Sequence, residues 1–455
     1  MQAETRRRTG ARNCIVTGAP LFVCSMHEAG DAVTDEALGQ VTAVAVAAGP
    51  QRGDMAAAAR CGRRSLSWTT RERKTKLLFG VLFGVSALFA LFVYGGIIDL
   101  IVERGALYVN HIFLFWGWSK FVHVIVPANL IYVRHELYAF EHSVAGSPRS
   151  HLPFAYPPSL LLMIWPLALV SPVIAWMVWT VVGLVCYLAA CWQRGWGATN
   201  LALALVAPAT VGAIFAAQTA LIAAALMIGG CRMMDRQPVV AGILFGLLAA
   251  VKPQYGVLIP LALISSREWR SFVAATGTVM TAVAASSLAF GWKAWSRLPD
   301  ALVGLSQLVA RHPKFAWYSP TVTSGLRMLG ASPMATSIGQ IAVAACAIVL
   351  VWRHFRRGFT PMGGAALMVG AFLVTPYALY YDLPLVSYAV LVMVMDWHAR
   401  CRALGTAEVA ILALAVALPV LIYAVHVSWG LLVLPLLFAL ILRRAGFADR
   451  ALVRA

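Results

Sequence analysis

Long, uninterrupted runs of apolar residues are the dominant pattern of the chain. The first covers residues 77–98, and twelve more lie between residues 158 and 443. Runs of this kind are typical of membrane-spanning α-helices, whereas the strands of a membrane barrel alternate apolar and polar residues over about ten positions. The pattern therefore predicts an all-α polytopic membrane protein. The twelve later runs are residues 158–172, 173–191, 199–213, 216–230, 237–251, 254–265, 270–290, 335–352, 362–376, 383–396, 407–425 and 428–443.

Clusters of Lys and Arg between these runs predict the topology, because basic loops stay on the cytoplasmic side. Placing the clusters inside makes residues 237–265 a hairpin whose tip, Lys252-Pro253-Gln254, faces outward. Thirteen segments cannot both begin and end inside. We therefore expect about 12 crossings, within a range of 11–14, with one short segment re-entrant or merged with its neighbour. Half-length segments interrupted by Pro and Gly are common around substrate cavities.

The two ends of the chain differ from this pattern. Residues 1–76 are rich in Ala, Gly, Arg and Thr without a sustained period, which predicts a disordered, basic, cytoplasmic segment. An alternative is that translation starts later, since Met55 lies closer to the first apolar run. Residues 446–455 are expected to form a cytoplasmic tail.

Two longer polar segments are expected outside the membrane, residues 99–157 and 291–334. The first is rich in Phe and Trp, so it is predicted to lie along the outer surface as amphipathic helices. The alternative is that residues 112–133 form another crossing helix, interrupted only by Lys120 and His123. The second segment is basic, and attraction to anionic lipid head groups would explain its charge without any catalytic role.

Composition agrees with a membrane location. Hydrophobic residues make up 61% of the chain and charged residues only 12%, and the net charge of +18 is distributed between apolar segments as a topology signal. We therefore expect no nucleic-acid partner. The eight scattered cysteines contain no CxxC pair, and the chain has no Walker loop, GxGxxG or HExxH motif. Neither a metal site nor a cofactor is predicted.

The remaining polar residues approach the predicted outer face. A Lys at membrane depth is costly, so Lys252 either snorkels to the surface or faces a polar cavity and binds an anion. Lys252 and Arg311 are the predicted phosphate-binding cations. Tyr156 and Tyr381 could equally be interfacial residues, and Asp382 could be an acid at a helix N-terminus. The predicted substrate-binding residues are Tyr156, Gln218, His312, Tyr381 and Asp382.

Ordered stretches of the chain resemble bacterial glycosyltransferase family 87. They are FAYPPSLLLMIWPLALV at 154–170, FAAQTALIAAALMI at 215–228, VVAGILFGLLAAVKPQYGVLIPLALISSREWR at 239–270 and TPYALYYDLPLV at 375–386. The resemblance covers about residues 77–445 and implies a GT-C-like bundle. It also implies a hexosyltransferase that takes a sugar, mannose first of all, from a polyprenyl-phosphate donor to a lipid or glycan acceptor. The enzyme would lie in the bacterial inner membrane, among its lipids, with the site facing the periplasm or exterior.

The resemblance also implies a catalytic Asp in the first outer loop, in a stretch resembling DFxxFW. Here the corresponding residues are Asn110-His111-Ile112-Phe113-Leu114-Phe115-Trp116, without that Asp. A transporter or flippase of a lipid-linked or anionic substrate, or an inactive homologue, therefore stays open as an alternative. If the protein is an enzyme, its base is His111 or a displaced acid. The acids considered are Asp99, Glu103, Glu136 and Glu141.

Overall fold

The computed structural model describes residues 84–89, 91, 111–145, 153–193, 197–399 and 405–453. The predictions for residues 1–76, for most of the first apolar run and for Asp99 and Glu103 lie outside these residues, as does the side chain of His111. The described residues contain α-helices and short 3₁₀ turns and no strands. The predicted all-α membrane fold is therefore confirmed.

The α-helices of the described residues follow the predicted apolar runs closely. They are α1 His111–Val124, α2 Arg134–Ala145, α3 Pro158–Ile164, α4 Pro172–Cys191, α5 Gly197–Val206, α6 Pro208–Ala216, α7 Ala220–Met233, α8 Pro238–Val251, α9 Pro253–Gly256, α10 Ile259–Ser265, α11 Trp269–Phe290, α12 Trp292–Arg311, α13 Pro313–Trp317, α14 Val322–Met328, α15 Pro333–Phe355, α16 Pro361–Val374, α17 Pro384–Ala399, α18 Thr406–Val425 and α19 Gly430–Val453. The 3₁₀ turns are Ala128–Tyr132, Trp165–Leu169 and Tyr380–Asp382.

Proline and hydroxyl side chains mark where many of these helices begin. Pro at the first helical position is compatible with the helix because the missing N–H has no partner there anyway. Ser171 and Ser332 precede such prolines, and their hydroxyls accept hydrogen bonds from the N–H groups of Ile174 at 3.4 Å and Ala335 at 3.2 Å. Local sequence therefore sets the helix starts in this chain.

Four of the described helices are long and apolar enough to cross a membrane: α4, α11, α15 and α18. Six apolar stretches are shorter, with 10–17 residues each. They are residues 158–169, 220–233, 238–251, 253–265, 361–374 and 384–397. The prediction of about 12 crossings stays a prediction, and the short helices supply the interrupted segments that it expected.

The chain reverses direction at Lys252, as the predicted hairpin requires. α8 and α11 pack side by side along a glycine stripe, where a Cβ on Gly242 would lie 2.3 Å from the Ser271 carbonyl oxygen and one on Gly246 would lie 2.6 Å from the Ala275 carbonyl oxygen. From the first contact to the second, the position advances by four residues in both helices, from 242 to 246 and from 271 to 275, so the two helices run parallel. Residues 253–265, which connect α8 to α11 in the sequence, must therefore run in the opposite direction to both helices.

The main core is centred on α16. Every residue from Met362 to Leu373 is buried, which is typical of a helix surrounded by others. Its neighbours include α15, α17 and α19. A second core cluster joins α1, α2 and α3 through Phe115, Leu137 and Leu160.

Both predicted outer segments are largely helical where they are described. α1 ends at Val124, so residues 112–133 do not form one crossing helix. The segment 291–334 contains the strongly amphipathic α12, followed by α13 and α14. α12 packs against the turn Ala128–Tyr132, so the two outer segments contact each other. At the other end of the chain, α19 continues through the predicted tail as far as Val453.

Candidate functional site

A buried ion pair joins the hairpin tip to a distant turn. Lys252 Nζ donates to Asp382 Oδ1, and the two side chains are 3% and 4% exposed. Pro253 cannot continue α8, so the helix ends and Lys252 takes an extended conformation between α8 and α9. The break therefore turns the lysine side chain from the helix surface into the protein.

Asp382 is fixed by its own turn. Its second oxygen, Oδ2, accepts from the Leu379 N–H at 3.3 Å, which closes the 3₁₀ turn Tyr380–Asp382. The ammonium of Lys252 also lies 5.3 Å from the ring centroid of Tyr255 and 5.7 Å from that of Tyr381. Aromatic faces attract cations, so the rings hold the lysine in place without neutralising it.

Four tyrosines, which we call the tyrosine shell, surround the Asp382 carboxylate within electrostatic range. They are Tyr156, Tyr255, Tyr377 and Tyr381. The Tyr156 hydroxyl donates to Gln218 Oε1 at 3.1 Å. Gln218 lies where the chain is unwound between α6 and α7, after Ala217 in the left-handed conformation with φ 46°. Interrupted helices therefore supply polar groups from two directions.

Loops at the same end of the bundle are bonded to one another. The Tyr380 N–H donates to the Tyr318 carbonyl oxygen at 2.9 Å, and Ser428 Oγ donates to the Ser319 carbonyl oxygen at 2.6 Å. Thr321 Oγ1 donates to the Pro376 carbonyl oxygen at 3.2 Å. These hydrogen bonds join the segments 318–321, 376–382 and 426–430 into one layer, which includes the turn that carries Asp382.

Glu141 is a buried acid beside this site. It lies on α2, is 7% exposed, and its Oε1 has no hydrogen-bond partner among the described residues. Burial raises the pKa of Glu141 to about 8, against a smaller lowering by the Trp118 indole. The Trp118 ring in turn lies 5.9 Å from the Tyr156 ring. A second carboxyl group therefore approaches the tyrosine shell from the aromatic cluster.

The structure brings together only some of the residues predicted from the sequence. Lys252, Tyr381 and Asp382 contact one another directly, and Tyr156 and Gln218 form the adjoining hydrogen bond. Arg311 and His312 are exposed at the end of α12, with no hydrogen bond to the buried pair. Glu136 is partly exposed beside His135, at 3.3 Å.

Other residues of the site were not predicted. Tyr255 faces Lys252 from one helical turn away, and Ser159 Oγ donates to the Ala250 carbonyl oxygen, which ties α3 to the end of α8. The pairing of Lys252 with Asp382 was also missed. A signal for it existed, because a base and an acid that both lie within apolar sequence are most stable when paired.

An apolar cleft runs from the hairpin tip toward the surface. It has a volume of about 180 Å³ and lies between α8, α10 and α11. Its lining includes Ala249 and Gly256, three and four residues from Lys252, and the exposed Met280 of α11. Its lining is almost wholly apolar, so it fits hydrocarbon better than any charged ligand.

Comparison with known families decides the broad class. The family model described as glycosyltransferase family 87 matches residues 154–379, from the end of the first predicted outer segment to the turn that carries Asp382. The chain belongs to glycosyltransferase family 87. The resemblance recognised from the sequence is thereby confirmed, and the protein is a glycosyltransferase embedded in a membrane. Neither the curated proteins nor the solved structures give a match.

Most residues of the candidate site lie within the matched residues. Lys252, Gln218 and Tyr156 all lie inside the matched residues. Asp382 lies three positions after the last matched residue, Leu379. A glycosyltransferase needs a sugar donor and an acceptor, and the chain must provide room for both. The ion pair, the tyrosine shell and the cleft are the features available for that purpose.

Proposed function

We propose that this family 87 enzyme transfers a hexose, mannose first of all, from a polyprenyl-phosphate sugar to a lipid or glycan acceptor at the outer face of the bacterial inner membrane. The observation that carries the proposal is the buried Lys252–Asp382 pair at the hairpin tip. A donor phosphate entering this site would meet a fixed cation in surroundings with little water. There a cation stabilises developing negative charge far more than it does in bulk water.

Lys252 has two partners in the proposed cycle. In the structure it holds Asp382, which compensates the cost of burying either charge alone. The phosphodiester of the donor would replace that carboxylate as the partner of the ammonium. Asp382 would then be free to orient a substrate hydroxyl, while the Leu379 N–H keeps its other oxygen in place.

The chemistry is a displacement at the anomeric carbon of the donor. A carboxylate removes the proton of the acceptor hydroxyl, and the resulting oxygen forms a bond to that carbon. The bond between the anomeric carbon and the phosphate oxygen breaks, and its electron pair stays with the phosphate. The products are the glycosylated acceptor and polyprenyl phosphate, whose charge Lys252 stabilises.

Among the described acids, Glu141 fits the role of base best. Its raised pKa is suited to accepting a proton near neutral pH, and it has no ion-pair partner among the described residues. Glu136 is partly exposed and lies against His135. Asp99, Glu103 and His111 stay candidates from the sequence.

The apolar cleft supports a lipid-linked donor. Its lining includes the exposed Met280 of α11 and Ala249, which lies one helical turn before Lys252, so a prenyl chain in the cleft would have its phosphate near the ammonium. Orientation is supported by the opposite end of the bundle, where Arg353 lies on the final turn of α15 and Arg443 and Arg444 lie on α19 after its apolar run. The positive-inside rule assigns that end to the cytoplasm, which puts Lys252 outside.

Purified protein in lipid nanodiscs tests the proposal. We expect sugar transfer from radiolabelled polyprenyl-phosphate mannose to an extract of membrane lipids and glycans, with release of polyprenyl phosphate. Nucleotide sugars in place of the lipid donor should give no product. Absence of both transfer and donor hydrolysis across mannose, glucose and galactose donors would overturn the lipid-phosphate assignment while leaving the family unaffected.

A further inference from the structure

A second group of aromatic rings lies beside the turn that carries Asp382. We call it the aromatic platform, and it consists of Trp317, Tyr318, Tyr380, Tyr423 and His426. Its members come from three separate segments of the chain, and none of them contacts Lys252. The proposed transfer reaction does not use them.

The three tyrosines of the platform form a closed triangle. The ring centroid of Tyr318 lies 6.0 Å from that of Tyr380 and 5.9 Å from that of Tyr423, and the third side measures 5.6 Å. Their hydroxyls interact electrostatically with one another. Three aromatic rings and their hydroxyl groups are therefore gathered at one place.

Trp317 and His426 extend the platform toward solvent. The His426 ring meets Trp317 at 5.6 Å and Tyr318 at 5.7 Å, both edge to face. His426 is exposed, Trp317 and Tyr318 are half-buried, and Tyr380 is 8% exposed. The platform thus grades from a buried floor to an accessible rim.

The backbone beneath the platform is pre-organised. The hydrogen bond from the Tyr380 N–H to the Tyr318 oxygen fixes two of the rings relative to each other. At Gly430, a Cβ would lie 1.9 Å from the Pro320 carbonyl oxygen, so only glycine permits the two segments to approach this closely. Rigid placement of aromatic side chains reduces the entropy lost on binding a ligand.

The backbone conformation of His426 is unusual for a histidine at the end of a helix. It follows α18 with φ 57°, in the left-handed region where Gly or Asn is usual. Strained backbone of this kind clusters at functional sites. The conformation directs the imidazole across Trp317 and Tyr318.

We infer that the aromatic platform binds a hexose ring of the acceptor next to the transfer site. This inference rests on the proposed function. A hexose has an apolar face of C–H groups that packs on aromatic rings and a rim of hydroxyls that Tyr and His side chains can hydrogen-bond. Tyr380 stands in the platform and Tyr381 beside Lys252, with their rings 5.4 Å apart. The acceptor sugar on Tyr380 would therefore lie next to the donor phosphate, which Lys252 binds beside Tyr381.

An aromatic belt at the membrane surface is the competing explanation, and belt residues contact lipid individually. Trp292 provides a matched example, since it is 66% exposed at the start of α12, outside the platform. The rings of the platform contact one another instead, across segments more than 40 residues apart. We therefore use Trp292 as the control position.

Saturation-transfer NMR on the full-length protein in nanodiscs tests the inference, with methyl α-mannoside and a mannobiose as probes and no donor present. We expect transfer to the ring C–H protons, and about 2- to 10-fold weaker binding in Trp317→Ala and His426→Ala, since an aromatic contact contributes about 0.5–1.5 kcal/mol. Trp292→Ala should bind like the wild type. Equal loss in all three variants, or no binding by the wild type, would overturn the inference.

Two further binding measurements distinguish an acceptor sugar on the platform from the sugar of the donor. The double variant Lys252→Met with Asp382→Asn should retain mannoside binding even if it loses transfer, so failure of the proposed reaction would not be mistaken for failure of the platform. Intact polyprenyl-phosphate mannose should leave the mannoside signal in place. If the donor displaces the mannoside, the platform binds the donor's sugar and the acceptor assignment is wrong.

Discussion

Lys252 and Asp382 lie 130 residues apart in the sequence and share a buried hydrogen-bonded ion pair. Each charge sits where the regular structure is interrupted, one after α8 and one before α17. A buried pair of this kind is costly to break but gives little net stability by itself. Its retention at the end of an apolar hairpin is therefore better explained by function, and the first prediction separates the two effects.

Replacing Lys252 by Met alone should destabilise the protein, by about 3–5 kcal/mol, because it leaves the Asp382 carboxylate buried and unpaired. The double variant Lys252→Met with Asp382→Asn removes both charges and should regain most of the thermal stability. It should nevertheless transfer sugar at least ~100-fold more slowly, because no cation remains for the leaving phosphate. Thermal unfolding in detergent and initial transfer rates check this. Wild-type rates in the double variant would exclude Lys252 from the reaction.

Narrowing the apolar cleft should discriminate between donors by chain length. Ala249→Phe places a ring in the cleft, so we expect a several-fold higher KM for a long-chain polyprenyl donor and little change for a short-chain analogue. Leu247→Phe is the matched control, because Leu247 is 39% exposed on the same helix and does not line the cleft. Equal effects of Ala249→Phe on long and short donors would place the prenyl chain elsewhere.

The pH dependence of transfer should report Glu141. Its pKa is raised to about 8, so the ionised form that accepts a proton becomes more populated as the pH rises from 6 toward 8. If Glu141 is the base, kcat/KM rises about tenfold per pH unit below that pKa and levels off above it. Glu141→Gln should abolish this limb and reduce the rate by about 10²- to 10⁴-fold.

Glu136→Gln on the same helix is the control for that experiment. Glu136 is partly exposed beside His135, so its substitution should leave the profile unchanged. A profile that keeps its limb in Glu141→Gln would assign the base to Asp99, Glu103 or His111 instead.

The opposite end of the bundle carries a structural clamp that should respond differently from the site. Glu408 accepts hydrogen bonds from Arg443 and Arg444, whose side chains are 59% and 9% exposed. Arg444→Leu should therefore lower the free energy of unfolding by about 1–3 kcal/mol, since Arg443 still pairs with Glu408, whereas Arg443→Leu should cost at most about 1 kcal/mol. Thermal unfolding of the two variants measures the contrast. Equal losses would show that burial does not set the strength of this clamp.

Local sequence alone determined much of the architecture. Apolar runs predicted the helices because each crossing must bury its own backbone hydrogen bonds. Pro253 ended α8 and placed a reversal at Lys252, and the basic clusters predict the side of the membrane on which it lies. The landmarks between residues 154 and 386 also identified the family, which the match over residues 154–379 confirmed.

Only the tertiary structure decided which polar groups meet. From the sequence, Lys252 could have paired with a phosphate or snorkelled to the surface. The turn Tyr380–Asp382 packs against α6, α7 and α18, and this packing brings Asp382 within reach of Lys252. Arg311 and His312 have the right chemistry and lie exposed on α12, while Tyr255 and Ser159 complete the site without any signal of their own. The physical reason is that helix periodicity is a local property, whereas a buried charge is compensated by whichever partner the packing of distant segments brings within reach.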